Sequence, residues 1–172
     1  MKKIFRYVIL VCMFLMLVAC GKKDSEKAFD EKVKEIKEQV TKSGEEGLES
    51  TKLVAKIFNK ATYKVNKVEE SGDSAQLDVS IKAVNLGRYL DELSAHLENT
   101  ASAESTDEEI NKIAVEYLTE LLKNEKDLEY SESDIQIQMT KIEGKWEIEN
   151  PGDLYIGLYG GQGQVTDLPA QN

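Results

Sequence analysis

Apolar and polar side chains alternate strictly from residue 75 to residue 83, and this pattern restricts the fold more than any other in the chain. The apolar positions are Ala75, Leu77, Val79, Ile81 and Ala83. Successive side chains of a β-strand point to opposite faces, so the segment predicts a strand with one face on a core and the other in water. The segment 61–68 is rich in β-branched and aromatic residues. Turn-forming residues at 69–74 join it to the alternating segment, which predicts an antiparallel hairpin.

Apolar residues at helical spacing flank this hairpin on both sides. They predict helices over 29–40, 49–60, 86–97 and 110–122. A second alternating segment at 135–140 is followed by a tight turn at 142–145, with Gly144 where a positive φ is needed, and by a strand at 146–148. Residues 153–159 predict a short helical or extended segment. Segregated hairpins and helices favour the α+β class, here a curved antiparallel sheet from two hairpins packed against amphipathic helices.

The first nineteen residues have the pattern of an export signal. Lys2, Lys3 and Arg6 precede an uncharged stretch at 7–19. A stretch of this length is typical of a secretory signal and is shorter than the roughly 20 residues that a membrane-spanning helix needs. The basic start indicates a cytoplasmic N-terminus, with the rest of the chain exported.

The end of the uncharged stretch resembles the lipobox of bacterial lipoproteins. Leu17-Val18-Ala19-Cys20 is followed there by Gly21. The resemblance implies cleavage before Cys20 and a diacylglyceryl group on its thiol. Cys20 is then a lipidation site that holds the protein on the extracytoplasmic face of the cell membrane, because two acyl chains anchor stably where one binds only marginally. The alternative is an ordinary cleaved signal in which Cys20 has no role.

Cleavage before Cys20 leaves 153 residues with a net charge of −13. Cys12 leaves with the signal, so the exported part has no disulfide and depends on packing for its stability. We divide the chain into a signal peptide at 1–19, the lipidated cysteine and a tether at 20–27, one domain at 28–160 and a flexible tail at 161–172.

The order of elements, taken with the lipobox, resembles that of the NTF2-like (cystatin-like) lipoproteins of bacteria. The likeness spans about residues 45–150. It rests on the segments 58–68 and 75–83 and on the closing Lys141-Ile142-Glu143-Gly144-Lys145-Trp146-Glu147-Ile148. It implies an NTF2-like core, and it implies no particular activity because many of these families have no known function. The pair of helices between the two hairpins departs from relatives that are mostly sheet there.

Charge and residue types exclude several classes of function. A net charge of −10 is unsuited to binding nucleic acid, whose phosphates need a basic surface, and it favours cationic partners. His96 is the single histidine, and no thiol remains once Cys20 is acylated. A nucleophile–histidine pair and a histidine-rich metal site are therefore not expected. We predict no catalytic residue, no metal and no cofactor.

The inward positions of the predicted sheet are all apolar, which disfavours catalysis in a cavity. Ile135, Ile137 and Met139 join the apolar positions of 75–83, and a lone carboxylate among them would be costly to bury. Asp78 or Tyr63 would reverse this interpretation if the strand register differed.

Aromatic residues are the remaining candidates for a binding site. A hydrophobic groove for a small molecule or peptide could be lined by Phe58, Tyr63, Trp146 and Tyr155, and the alternative for each is simple core packing. We therefore expect a noncatalytic, membrane-anchored module that binds a cationic protein or a small apolar ligand. The alternatives are a small-substrate enzyme on the same fold and a structural subunit of an envelope complex.

Overall fold

The structure is a computed structural model that describes residues 22–102 and 104–161. The predicted signal peptide, Cys20 and the predicted tail from residue 162 onward lie outside the described residues. The elements in chain order are α1 (Asp24–Glu46), α2 (Glu49–Phe58), β1 (Thr62–Ser71), β2 (Ser74–Val84), α3 (Leu86–Thr100), α4 (Asp107–Lys123), a 3-10 turn (Glu125–Asp127), β3 (Tyr130–Ile142), β4 (Lys145–Ile148) and α5 (Pro151–Leu158).

The four strands form one open antiparallel sheet in the order β1-β2-β3-β4. β2 pairs with β1 on one side and with β3 along its whole length on the other, where Leu77 lies opposite Ile137. The short β4 pairs only with the end of β3, from Met139 to Ile142. Both predicted hairpins are present, and the α+β class with a curved antiparallel sheet packed against helices is confirmed.

One face of the sheet is apolar and packs against the helices. The odd-numbered residues of β2 from Ala75 to Ala83 are at most 4% exposed, and Ile137 and Met139 of β3 are each 1% exposed. Phe29, Val33 and Ile36 of α1 are as deeply buried and belong to the same core. Their i, i+4, i+7 spacing places them on one side of the helix, so α1 can cover the sheet while its other sides stay polar.

The opposite face of the sheet is polar and open to water. Gln138 Nε2 donates to Gln76 Oε1 at 3.1 Å, and Gln136 Nε2 donates to Asp78 Oδ1 at 3.3 Å. Asp78 therefore lies on the solvent side, and the observed register leaves the core side of β2 without an ionisable group.

The two strand turns and the start of α1 lie at one end of the molecule. We call it the turn end and define it as residues 22–27, 67–74 and 141–145. Lys23 Nζ donates to the carbonyl oxygen of Val68 at 2.9 Å, which holds the start of α1 beside the end of β1. The backbone N–H of Lys141 donates to the carbonyl oxygen of Asp73 at 2.8 Å, which joins the two turns.

The opposite end is made of helices. We call it the helical end and define it as residues 40–60 and 86–127. Ser50 Oγ donates to Asn111 Oδ1 at 2.7 Å, and Lys60 Nζ pairs with Glu125 Oε1 at 2.7 Å, so α2 and α4 run side by side in the same direction. The 11 residues of β2 span roughly 35 Å between the turn end and the start of α3. Among the described residues, no helix combines the length and apolar character needed to cross a bilayer.

The main differences from the sequence prediction concern α1, β3 and α5. α1 begins at Asp24, inside the segment 20–27 assigned to the tether, and its first turn carries acidic residues that the helix dipole stabilises. β3 begins at Tyr130 rather than near Ile135, because its first inward residues are serines that give no apolar alternation. Ser133 is one of them, and it faces Gly157 of α5. The segment predicted as helical or extended at 153–159 is helical in α5, with Pro151 in its first turn.

The two faces of β3 should differ sharply in their effect on stability. We expect Ile137→Ala to lower the free energy of unfolding by about 2–5 kcal/mol, because it leaves a cavity in the core. Gln136→Ala, one position earlier on the solvent face, should change it by less than about 0.5 kcal/mol. Urea unfolding followed by circular dichroism measures both, and equal losses in the two variants would contradict the assigned register.

Candidate functional site

A long depression runs along one flank of α1, and we call it the α1 groove. Three adjoining hollows of about 460, 450 and 470 Å³ make it up. The first two share Lys32 and Glu35, and the last two share Ile36, Gln39 and Tyr155. The groove is defined by Ala28, Glu31, Lys32, Glu35, Ile36, Gln39, Val40 and Ser43 on α1 and by Trp146, Ile148, Val54, Tyr155 and Tyr159 across from them.

Trp146 forms the wall of the hollow nearest the turn end. The Lys141 ammonium lies over its ring, with Nζ 5.3 Å from the centroid, in a cation–π contact. The indole Nε1 is buried, and no acceptor for it is present among the described residues. A buried donor without an acceptor costs about 1–3 kcal/mol.

Tyr155 and Tyr159 border the groove nearer the helical end. Tyr159 packs on Phe58, with ring centroids 5.0 Å apart and planes tilted by 57°. Burial, with a smaller contribution from Tyr155, raises the pKa of the Tyr159 hydroxyl. At the far part of the groove α1 and α2 approach closely at Gly44, where a Cβ would lie only 2.8 Å from Ala55 Cβ.

The structure brings two of the four predicted aromatic candidates to this groove. Trp146 and Tyr155 both line it. Phe58 is 2% exposed and lies in the core beneath Tyr159. Tyr63 lies on the other flank of α1, so the four side chains do not form one site.

Tyr63 is held between α1 and β1. Its hydroxyl donates to Asp30 Oδ1 at 2.8 Å, and its ring meets Phe29 edge-to-face at 5.5 Å between centroids. Burial, and then the Asp30 carboxylate, raise the pKa of the Tyr63 hydroxyl well above its ordinary value. Because it stays protonated and its proton is already donated to Asp30, Tyr63 is suited to hold α1 on the sheet rather than to act as a base.

The rim of the groove mixes charges of both signs. Around Trp146 these are Glu31, Lys32, Glu35, Lys145 and Glu147, and Lys32 Nζ lies 3.4 Å from Glu35 Oε2. Such a rim suits a ligand with an apolar body and polar ends, whose affinity depends on shape and hydrogen bonds more than on net charge.

Among the described residues, neither a cluster of metal-ligating side chains nor the single histidine lies in the groove. Within residues 22–102 and 104–161, no group of three or more His, Cys, Asp or Glu side chains is arranged to hold a metal ion. His96 stacks on Tyr117 at 5.8 Å between ring centroids, in the contact of α3 with α4 and away from the groove. It stabilises the packing of these two helices.

Sequence reasoning missed the contribution of α1 to the groove. Lys32, Glu35 and Gln39 follow one another at helical spacing beside the buried stripe of α1, so their position on one flank was readable from the periodicity. The sequence does not predict that this flank faces β4 and α5, because the position of the flank depends on how α1 crosses the sheet.

No family model matches the sequence, and no curated protein matches it. One solved structure is similar, a crystal structure of a "putative lipoprotein (ycdA)" from Bacillus subtilis. It is 20% identical, with a TM-score of 0.34, and the match covers 60% of this chain and 32% of that one. A likeness of this size carries no argument about fold or function.

The burial of the Tyr63 hydroxyl, together with its contact with Asp30, should make the stability of the fold decrease at alkaline pH. The unfolded chain releases the tyrosine proton near pH 10, while the folded chain retains it, so the folded state binds more protons and is destabilised as the pH rises above about 10. Tyr63→Phe should make this decline shallower, and Tyr130→Phe, at a tyrosine 38% exposed, should leave it unchanged. Urea midpoints measured between pH 8 and pH 11 test this, and identical slopes in wild type and Tyr63→Phe would contradict it.

Proposed function

We propose that this chain is a membrane-anchored extracytoplasmic lipoprotein with a noncatalytic NTF2-like body, whose α1 groove binds a small ligand or a segment of another protein. The signal-like residues 1–19 and the lipobox-like Leu17–Gly21 support the anchor. The observation that carries the binding role is the α1 groove itself, a continuous depression lined by Trp146, Tyr155 and Tyr159.

The short distance between Cys20 and the body supports anchoring at the bilayer. Only residues 21–23 separate Cys20 from the start of α1. An acylated Cys20 would therefore hold the body close to the lipid surface, because no long flexible linker separates the two. The helices cover one face of the four-stranded antiparallel sheet, and this arrangement supports the NTF2-like interpretation of the body.

The composition of the core supports binding without catalysis. The core face of β2 from Ala75 to Ala83 holds only apolar residues, and the buried residues of β3 are Ile137 and Met139. Asp78, which a different register would have turned inward, lies on the solvent face. Tyr63 is engaged by Asp30 on the far flank of α1. Asp78 and Tyr63 are the residues on which an enzymatic interpretation would depend, and neither of them lines the α1 groove.

The anchor is tested by replacing its sulfur. Cys20→Ala should abolish acylation and move the protein from the membrane fraction to the soluble or unprocessed fraction. Cys12→Ala is the matched control and should leave fractionation unchanged, because Cys12 lies in the leader. Unchanged membrane association of Cys20→Ala would overturn the lipid anchor.

The groove is tested with a fluorescent dye and the single tryptophan as energy donor. The body expressed from residue 21 is titrated with anilinonaphthalene sulfonate, and transfer from Trp146 reports only dye bound nearby. We expect Tyr155→Glu to weaken dye binding at least tenfold, equivalent to about 1.4 kcal/mol, because a carboxylate replaces an apolar wall. Tyr130→Glu, at an exposed tyrosine outside the groove, should bind as wild type does. Equal dye affinity in wild type and Tyr155→Glu would argue against the groove as the binding site.

A further inference from the structure

The β3–β4 turn presents an exposed apolar side chain at the turn end. Ile142 is 57% exposed and lies between Lys141 and Lys145 in the sequence. Glu143 and Gly144 form the turn itself, with φ of 52° and 83°, so β3 and β4 are joined by a tight two-residue connection. Ile142 directly precedes this connection and lies at the edge of the body. Nothing in the packing of the described residues requires a large apolar side chain there.

Among residues 22–102 and 104–161, three other large apolar side chains are exposed, and Ile142 differs from them in position. These are Leu48 at 58%, Leu90 at 37% and Tyr130 at 38% exposure. Leu48 joins α1 to α2, Leu90 lies in α3, and Tyr130 begins β3 at the end of the sheet away from the strand turns. Ile142 alone of the four belongs to the turn end.

The start of the body is fixed at that same end. Ser25 Oγ donates to Glu70 Oε2 at 2.6 Å, which ties the first turn of α1 to the end of β1. Consecutive Cα atoms are 3.8 Å apart, so the Cα of Cys20 lies within about 8 Å of the Cα of Lys22 in any conformation. An anchor on Cys20 therefore brings the turn end close to the lipid surface.

The charges of the body are segregated along the same axis. The turn end holds six Lys and six Asp or Glu residues, while residues 86–123 of the helical end hold three Lys or Arg and nine Asp or Glu. An anionic bilayer repels the helical end and tolerates the turn end. Within the turn itself, Lys141 and Lys145 outweigh Glu143, which gives the tip a net positive charge beside Ile142.

We propose that the β3–β4 turn is a second, noncovalent membrane contact, in which Ile142 enters the headgroup region of an anionic bilayer while Lys141 and Lys145 pair with lipid phosphates. This contact rests on the proposed lipid anchor at Cys20. Together the two contacts fix the orientation of the body, so that the acidic helical end points away from the membrane. An apolar side chain flanked by lysines is suited to this interface, because the side chain leaves water while the ammonium groups stay hydrated.

The test uses the acylated mature protein, which begins at Cys20, purified from membranes and reconstituted into vesicles of phosphatidylcholine with phosphatidylglycerol. Ile142→Cys and Leu48→Cys are each labelled with an environment-sensitive nitrobenzoxadiazole dye. Cys12 is absent after cleavage and Cys20 is blocked, so the introduced thiol is the one that reacts. Leu48 is the matched control because its exposure equals that of Ile142 within 1%.

The expected result is a blue shift and a severalfold rise in emission at position 142 when vesicles are added, with no change at position 48. Pure phosphatidylcholine vesicles should give a smaller shift at position 142. Unlabelled protein gives a second measurement: vesicles should reduce iodide quenching of Trp146, and Ile142→Glu should restore the quenching while flotation with the vesicles is unchanged.

The outcomes separate the inference from the anchor on which it rests. Protein that floats with the vesicles but shows the same emission at positions 142 and 48 keeps its anchor and overturns the second contact. Protein that does not float at all has no anchor, which overturns the proposed function and the contact together.

Discussion

The burial of one face of β2 and β3 beneath α1 is the interaction on which the rest of the structure depends. Leu77, Ile81 and Ile137 meet Phe29 and Ile36 in one continuous core, and all five are at most 1% exposed. With no disulfide expected in the exported chain, this packing supplies the stability of the sheet. It also fixes the position of α1, and through α1 it fixes both the groove on one flank of the helix and the point where the chain leaves the body toward Cys20.

The placement of α1 makes the two ends of the molecule different. Its first turn is tied to the strand turns, while its second half packs against α2, and α2 in turn packs against the acidic helix α4. A body anchored through Cys20 then has a nearly neutral end at the lipid and a strongly acidic end in the medium. The α1 groove runs along this axis from Trp146 to Tyr159, so in an anchored body one end of the groove would lie near the membrane and the other would face the medium.

The parts of the fold that follow a simple period were predictable from the sequence. The alternation of β2, the stripe of α1 and the tight turn at Gly144 each depend on neighbouring residues, and each is found where the pattern predicts it. The first half of β3 was not predictable, because its serines gain their inward position from pairing with β2 and from the approach of Gly157. Of the aromatic candidates, Trp146 and Tyr155 reach the groove, whereas Phe58 and Tyr63 do not. The difference depends on the crossing of α1 over the sheet, which no local pattern specifies.

The attachment of this body to a bilayer is the central claim, and the mass of the native N-terminus tests it most directly. Mass spectrometry of the protein extracted from its own membranes should find an N-terminal peptide that begins at Cys20 and carries the added mass of a diacylglyceryl group. A peptide with a free Cys20 thiol and residues 1–19 still attached would contradict the account.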